Sequence, residues 1–254
     1  MKSNLICLVV FILGSLATSA QQFIRKGTIE FEVTTNAKKV MPPWSIYDEV
    51  KDQMPAFKIA YYKFSFADNK SIYTFDRYDE KKGKVPEFLR EGEDQKNWYN
   101  DFNTGQTIVQ KSQWGNLFNV KDSIQSIQWK ISNESRIIAG FNCRKAVGKI
   151  FDSVYVFAFY TDEIMISGGP CSINGLPGMI LGVTIPRMYV SMMATKLSVN
   201  NIDENIIKPT ASKKYYTAKE LNSIILTKIK DYTANDDDED RKSWLKQLMW
   251  GILL

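Results

Sequence analysis

No histidine occurs among the 254 residues, and that absence excludes more chemistry than any motif here suggests. Without imidazole the chain cannot assemble a Ser-His-Asp triad or a Cys-His pair, and a His-based zinc site is closed to it. Any catalysis would run on carboxylates, lysine, tyrosine, cysteine or a metal held by oxygens. Cysteine is scarce: of the 3 present, Cys7 falls in an N-terminal apolar stretch, which leaves Cys143 and Cys171. Charge of one sign is missing too. The 33 basic and 28 acidic residues give a net charge of +5, interleaved as in Asp79-Glu80-Lys81-Lys82 and Glu91-Gly92-Glu93-Asp94. No basic stripe suits a phosphate backbone, so nucleic acid is not expected as a partner. There is no Walker pattern and no G-x-G-x-x-G opening a helix. Beyond the N-terminus no segment suits a membrane span; Met179 to Met193, the most apolar, is interrupted by Pro186 and Arg187.

What is present begins with an export signal. Lys2 supplies a small positive region, Leu5 to Leu16 is an apolar run of signal-peptide length, and Thr18-Ser19-Ala20 offers small residues for cleavage before Gln21. An uncleaved anchor is the alternative, but the run falls short of the roughly 18 residues a span needs. Residues 1–20 are therefore read as a signal peptide, and the remaining 234 as an exported protein of the periplasm or the cell exterior. In such an oxidising compartment Cys143 and Cys171 are first read as a disulfide. Closing their 28-residue separation would stabilise the fold by roughly 3.5 kcal/mol in the chain-entropy account. Two unpaired thiols are the alternative.

Strand patterning dominates residues 21–210. Gly27 to Thr35 places Ile29, Phe31 and Val33 on one face and Thr28, Glu30, Glu32 and Thr34 on the other. Ala56 to Phe66 and Ser71 to Arg77 flank Ala67-Asp68-Asn69-Lys70, a natural hairpin connection. Further strands are expected at Asn97 to Phe102, Thr107 to Lys111, Ile127 to Ser132, Arg136 to Phe141, Arg144 to Ile150, Val154 to Tyr160 and Met179 to Val183. Connections this short exclude crossover helices, so the fold class is mainly β, an antiparallel barrel or bowl-like sheet. Met41-Pro42-Pro43-Trp44 opens a loop or short helix to about Gln53. Asp79 to Lys96 reads as an exposed charged excursion.

Residues 211–254 change character and are read as two helices packing on the same domain. Thr217 and Glu220 have capping-box spacing, and Leu221, Ile224, Ile225 and Ile229 share one face to about Tyr232. A second helix starts within Asn235-Asp-Asp-Asp-Glu-Asp240, whose carboxylates complement the helix dipole, and is expected to end at Gly251. That acid run lacks the spaced ligands of a calcium loop. The second helix carries Trp244, Leu245, Leu248, Met249 and Ile252 beside Arg241, Lys242 and Lys246. Packing on the sheet and peripheral contact with a membrane or partner both suit this face.

The densest backbone punctuation is Ser167-Gly-Gly-Pro-Cys-Ser-Ile-Asn-Gly-Leu-Pro-Gly-Met179. Gly168, Gly169, Pro170 and Gly175 lead into Leu176-Pro177-Gly178-Met179, which suits a type II turn with positive φ at Gly178. With its flanks, this loop resembles the signature of the GLPGLI family of exported Bacteroidetes proteins. Ile127-Gln-Trp-Lys-Ile131, Ile138-Ala-Gly-Phe-Asn-Cys143, Arg144-Lys145-Ala146, Phe159-Tyr-Thr-Asp-Glu-Ile164 and the strand Gly27 to Val33 follow the family order. Met179 stands where the family name has leucine, an apolar swap, and Cys171 is no firm part of the signature. The resemblance implies an exported β-rich envelope accessory, with a fold similar to the bowl-shaped N-terminal module of some bacterial glycan-releasing amidases.

Function is read accordingly as a non-catalytic binding or accessory module of the envelope, with no cofactor or metal and with an envelope protein, peptide or glycan as partner. The alternative is a carboxylate-dependent hydrolase of glycan or peptide using Asp162 or Glu163. On a strand those neighbours face opposite ways, and no partner carboxylate is evident. Backbone amides at Gly168-Gly169 could cradle an anion, although a simple strand connection explains them as well. Trp98, Tyr99, Phe102 and Trp114 could stack on a sugar or pack the sheet.

Overall fold

The computed structural model describes residues 23–44, 47–83, 85–151, 153–199, 202–233 and 239–254. The expected signal peptide and most of the acidic run before the last helix lie outside them. Eleven antiparallel strands form one sheet: β1 (Gly27–Asn36), β2 (Phe57–Ala67), β3 (Lys70–Tyr78), β4 (Asn97–Asp101), β5 (Gln106–Gln113), β6 (Asn116–Ser123), β7 (Lys130–Ile138), β8 (Phe141–Ile150), β9 (Val154–Thr161), β10 (Met179–Ile185) and β11 (Val190–Ser198). Their order is β6-β5-β4-β3-β2-β1-β11-β10-β9-β8-β7. Two meanders thus run outward from one central seam, where Thr28 to Thr35 of β1 pair with Ser198 to Val190 of β11. The sheet curls without closing: β6 and β7 are its edges, so of the two shapes expected the open bowl holds and the barrel does not.

Alternation decides the faces. Ile29 and Phe31 are fully buried, and the core continues through Phe64, Tyr73, Trp98 and Val109 on the neighbouring strands. The opposite face of β1 is ionic. Glu30 meets Arg77 at 3.0 Å, and Glu32 meets Lys82 at 3.1 Å. Between β2 and β3 both Asp68 and Asn69 take positive φ, 48° and 61°, as a two-residue primed turn requires.

Three strand expectations need correction. Arg136 to Phe141 is not one strand, because Ala139 and Gly140 (φ 50° and 88°) make a second tight turn that splits β7 from β8. Lys130 and Arg136, expected on separate strands, share β7, which carries an irregularity between Ile131 and Ser135. β6 was not anticipated at all; Trp114 and Gly115, at φ 51° and 69°, turn the chain into it.

Two short helices, α1 (Ala37–Val40) and α2 (Asp48–Gln53), follow β1, and two long ones, α3 (Ala218–Thr233) and α4 (Glu239–Leu253), end the chain. The capping box forms as expected: the Glu220 amide donates to Thr217 Oγ1 at 3.1 Å, and the Thr217 amide to Glu220 Oε2 at 2.7 Å. α3 buries Leu221 and Ile225 against Phe118 and Val120 of β6. α4 runs past Gly251 rather than stopping there, since Ile252 and Leu254 beyond it are buried against α3, β6 and the main core. Tertiary packing outweighs the glycine's preference for ending a helix.

Candidate functional site

The concave face of the sheet and α4 border a half-open cavity of about 280 Å³. Its floor is aromatic: Tyr62 stacks on Tyr73 with centroids 4.9 Å apart, and Tyr73 meets Trp98 at 5.6 Å. Val33, Val190 and Met192 line the central seam, while Trp244, Leu248 and Ile252 descend from α4. Three bonds anchor that end of the chain: Trp244 Nε1 donates to the Val40 carbonyl at 3.0 Å, and Trp98 Nε1 and Ser172 Oγ both donate to the Leu254 carbonyl, at 3.1 and 2.6 Å.

One wall is charged. The excursion of residues 79–96 is exposed along much of its length, as expected, but it forms three 3₁₀ turns, buries Val85 and delivers Glu93 to the cavity. Gly92 makes this possible, with φ +71° and a position where a Cβ would lie 2.3 Å from Ser112 Oγ of β5. Gln110 Nε2 holds the turn from β5 by donating to the Gln95 carbonyl at 2.7 Å. Glu93, its side chain 14% exposed, accepts from Lys58 Nζ at 2.6 Å. Tyr78 and Tyr62 hydroxyls reach its second oxygen at 3.1 and 3.2 Å. Burial alone would raise the Glu93 pKa, but the ammoniums of Lys58 and Lys96 and the bonds from Lys58 and Tyr78 outweigh it and hold the carboxyl below its usual range.

Lys111 is the unusual member. It follows Val109 by two positions on β5 and so points to the core side, 6% exposed. Its Nζ has no hydrogen-bond partner and lies 5.5 Å from the Trp98 ring centroid. Burial drives its pKa down to about 7, with Cys171 opposing and Lys96 adding to the fall. Burial also lowers Lys96, with Glu93 opposing. Beside them the Cys171 thiol is pushed up to about 12, again by burial, with Lys111 and Lys96 pulling the other way.

The fold has a counterpart among solved structures. PNGF-II in a C2 crystal form aligns with a TM-score of 0.51 at 12% identity, over 80% of this chain and 33% of that one. The same protein in a P21 form gives 0.47 at 15% identity, over 76% and 32%. The chain therefore spans about a third of the length of PNGF-II, and at such identity the likeness is one of fold alone. No family model matches the sequence, and no curated protein does.

The residues singled out in the sequence divide between scaffold and site. Gly168, Gly169 and Pro170 are buried, and Gly168 engages its carbonyl with the Ile180 amide at 2.9 Å, so this stretch packs as a connection rather than an open anion cradle. Leu176, Pro177 and Gly178 do not close a type II turn. The Met179 amide is committed to the Ile164 carbonyl at 3.2 Å, and a tighter turn forms instead, with the Gly178 amide on the Leu176 carbonyl at 2.8 Å. Gly178 does take positive φ, +137°, and a Cβ there would sit 2.1 Å from the Thr161 carbonyl oxygen. Gly175 is at φ +90°, and the adjacent Asn174 carbonyl accepts from Trp129 Nε1 at 2.9 Å.

The expected bridge is corrected: Cys143 and Cys171 are both free and buried, in different surroundings. Cys143 sits on β8 with its thiol on the Phe141 carbonyl at 3.5 Å, whereas Cys171 lines the cavity. Asp162 is exposed and Glu163 half-buried beside Thr161; neither lines the cavity. Of the four aromatics, Trp98 enters the site, Tyr99 faces the opposite side with Ile108 and Ile207, Phe102 packs on the main core, and Trp114 packs near α3. Lys58, Glu93, Lys96 and Lys111 were missed. The available signal was faint: Lys111 is in phase with Val109 on β5, but Thr107 and Gln113 share that face and make it look solvated. Among the described residues no group of acidic or cysteine side chains could hold a metal ion.

Proposed function

We propose that the chain is a non-catalytic binding module, exported and of the GLPGLI type, which takes a small ligand between the concave sheet face and α4. The cavity carries this reading: about 280 Å³, lined mostly by aromatic and aliphatic residues, with a minority of polar and charged ones that include Lys58, Glu93, Lys96 and Lys111. Such a distribution is that of small-molecule sites, where apolar walls give affinity and a few placed polar groups give orientation. Export rests on the N-terminal sequence, and the family reading on the ordered motifs from Gly27 to Met179. The hydrolase alternative has less in its favour, since general acid-base work on a sugar needs two carboxylates across a cleft, and the cavity presents Glu93 alone.

The test uses a plug. Gly251 lines the cavity with open space where a Cβ would be, so Gly251→Trp should obstruct it while leaving the helix intact. Thermal-shift screening of the purified protein against small carboxylates, sugars, amines and neutral aromatics should return compounds whose stabilisation disappears in Gly251→Trp. Compounds that stabilise both proteins equally, or none that stabilise either, would remove the cavity as the site.

A further inference from the structure

Three amines, Lys58, Lys96 and Lys111, line the cavity against one carboxylate side chain, that of Glu93. Glu93 is already engaged by Lys58 at 2.6 Å and by the Tyr62 and Tyr78 hydroxyls. Lys111, 6% exposed, is left with no hydrogen-bond partner. A buried ammonium without a partner is costly, and one partner of opposite charge changes its balance sharply. The neighbours cannot supply that charge. Burial keeps the Cys171 thiol protonated at neutral pH, its pKa being about 12, and it keeps the Tyr62 and Tyr73 phenols protonated as well. A bound anion would supply the complement.

The rest of the lining limits what carries it. Around Lys111 stand the Trp98 ring, and across the cavity Val33, Val190, Met192, Leu248 and Ile252. These residues give the ligand's body an apolar bed, while Thr35, Ser112, Gln113 and Gln247 add uncharged polar groups elsewhere in the lining. A volume of about 280 Å³ matches about nine waters at liquid density, enough for one small ring or a short acyl chain. We propose that the site binds a small monocarboxylate with an apolar or aromatic body, its carboxylate on Lys111 Nζ and its body against Trp98 and the seam; this builds on the ligand-binding reading above. Lys96 strengthens the local positive potential, and the Lys58–Glu93 pair closes the polar wall.

Benzoate is the probe, with benzamide as its neutral isostere and benzylamine as its cationic one, measured by calorimetry at pH 6.5. A charge-assisted bond in a desolvated site predicts that benzoate binds about tenfold or more tighter than benzamide, with benzylamine not binding. Lys111→Met keeps the volume and should erase the preference, bringing benzoate to the level of benzamide. Binding should also take up a proton, so benzoate affinity should weaken between pH 7 and 9, as shown by heats that vary with buffer ionisation. Equal affinity for benzoate and benzamide in the wild type, both blocked by Gly251→Trp, would overturn the anion assignment and leave the cavity as a binding site. Benzoate binding that survives Lys111→Met or Gly251→Trp unchanged would overturn it as well, and so would no binding of benzoate at millimolar concentration.

Discussion

Replacing Lys111 by methionine should stabilise the protein, and the gain should shrink as pH rises. The amine is 6% exposed and its pKa falls from 10.5 to about 7 on folding. Each unit is worth about 1.4 kcal/mol, so burial of this charge costs the fold on the order of 5 kcal/mol wherever both states are protonated. The sign follows from proton counting. Below pH 7 the folded and unfolded chains both hold the proton and the full cost applies. Between pH 7 and 10.5 the unfolded chain holds a proton that the folded one lacks, so wild-type stability climbs with pH and the cost fades. Methionine has no such proton. The variant's advantage should therefore be largest at or below pH 7 and smaller by about 3 kcal/mol at pH 9. For a chain of this size that is roughly 6–12 °C of melting temperature. Urea denaturation of both proteins at pH 6, 7, 8 and 9 measures the gap directly, and groups titrating alike in both cancel. Parallel stability curves would refute the reasoning, because they would mean Lys111 titrates as a solvated amine. A wild type more stable than the variant at pH 6 would mean the amine has an internal partner.

Lys58→Met strips Glu93 of its closest partner and should cost about 3 kcal/mol at neutral pH. Since Glu93 is held below its ordinary 4.5, its contribution is present above that pH and lost in acid, so the deficit should narrow below about pH 4; a pH-independent deficit would point to lost packing instead. Gly178→Ala combines φ +137° with a Cβ 2.1 Å from the Thr161 carbonyl and should destabilise by about 3 kcal/mol or more, read from the urea midpoint. Cys143 and Cys171, free and buried, should resist maleimide in the native protein and both react on denaturation without reductant. A single disulfide-sized mass deficit of two hydrogens would contradict the structure.

The sequence carried local geometry better than burial. Asp68-Asn69 announces its turn because both residues tolerate left-handed backbone. Thr217 and Glu220 announce a helix start because their spacing matches the orphaned amides of a first turn. The faces of β1 follow from strict alternation. The second turn at Ala139-Gly140 was hidden because apolar residues continue on both sides of it, and alternation does not register a reversal of direction. The site was the least legible part. Glu93 sits in a run whose charge pattern is that of a solvated loop, and only the close approach of Gly92 to Ser112 brings it inward. Lys111 reads as an ordinary strand terminus; what makes it a site residue is α4, more than a hundred positions later, closing over it.

The central seam has a kinetic consequence. Every strand pairing except β1 with β11 joins neighbours in the chain, so nine pairings can zip up locally while one waits. At ribosomal speeds of about 5–20 residues per second, the strand opening the protein stands with one naked edge for roughly ten to thirty seconds before its mate emerges. That edge, rich in β-branched side chains, is a template any passing strand could copy. Holding the chain extended until synthesis ends, as a translocation pathway does, would spare it that interval.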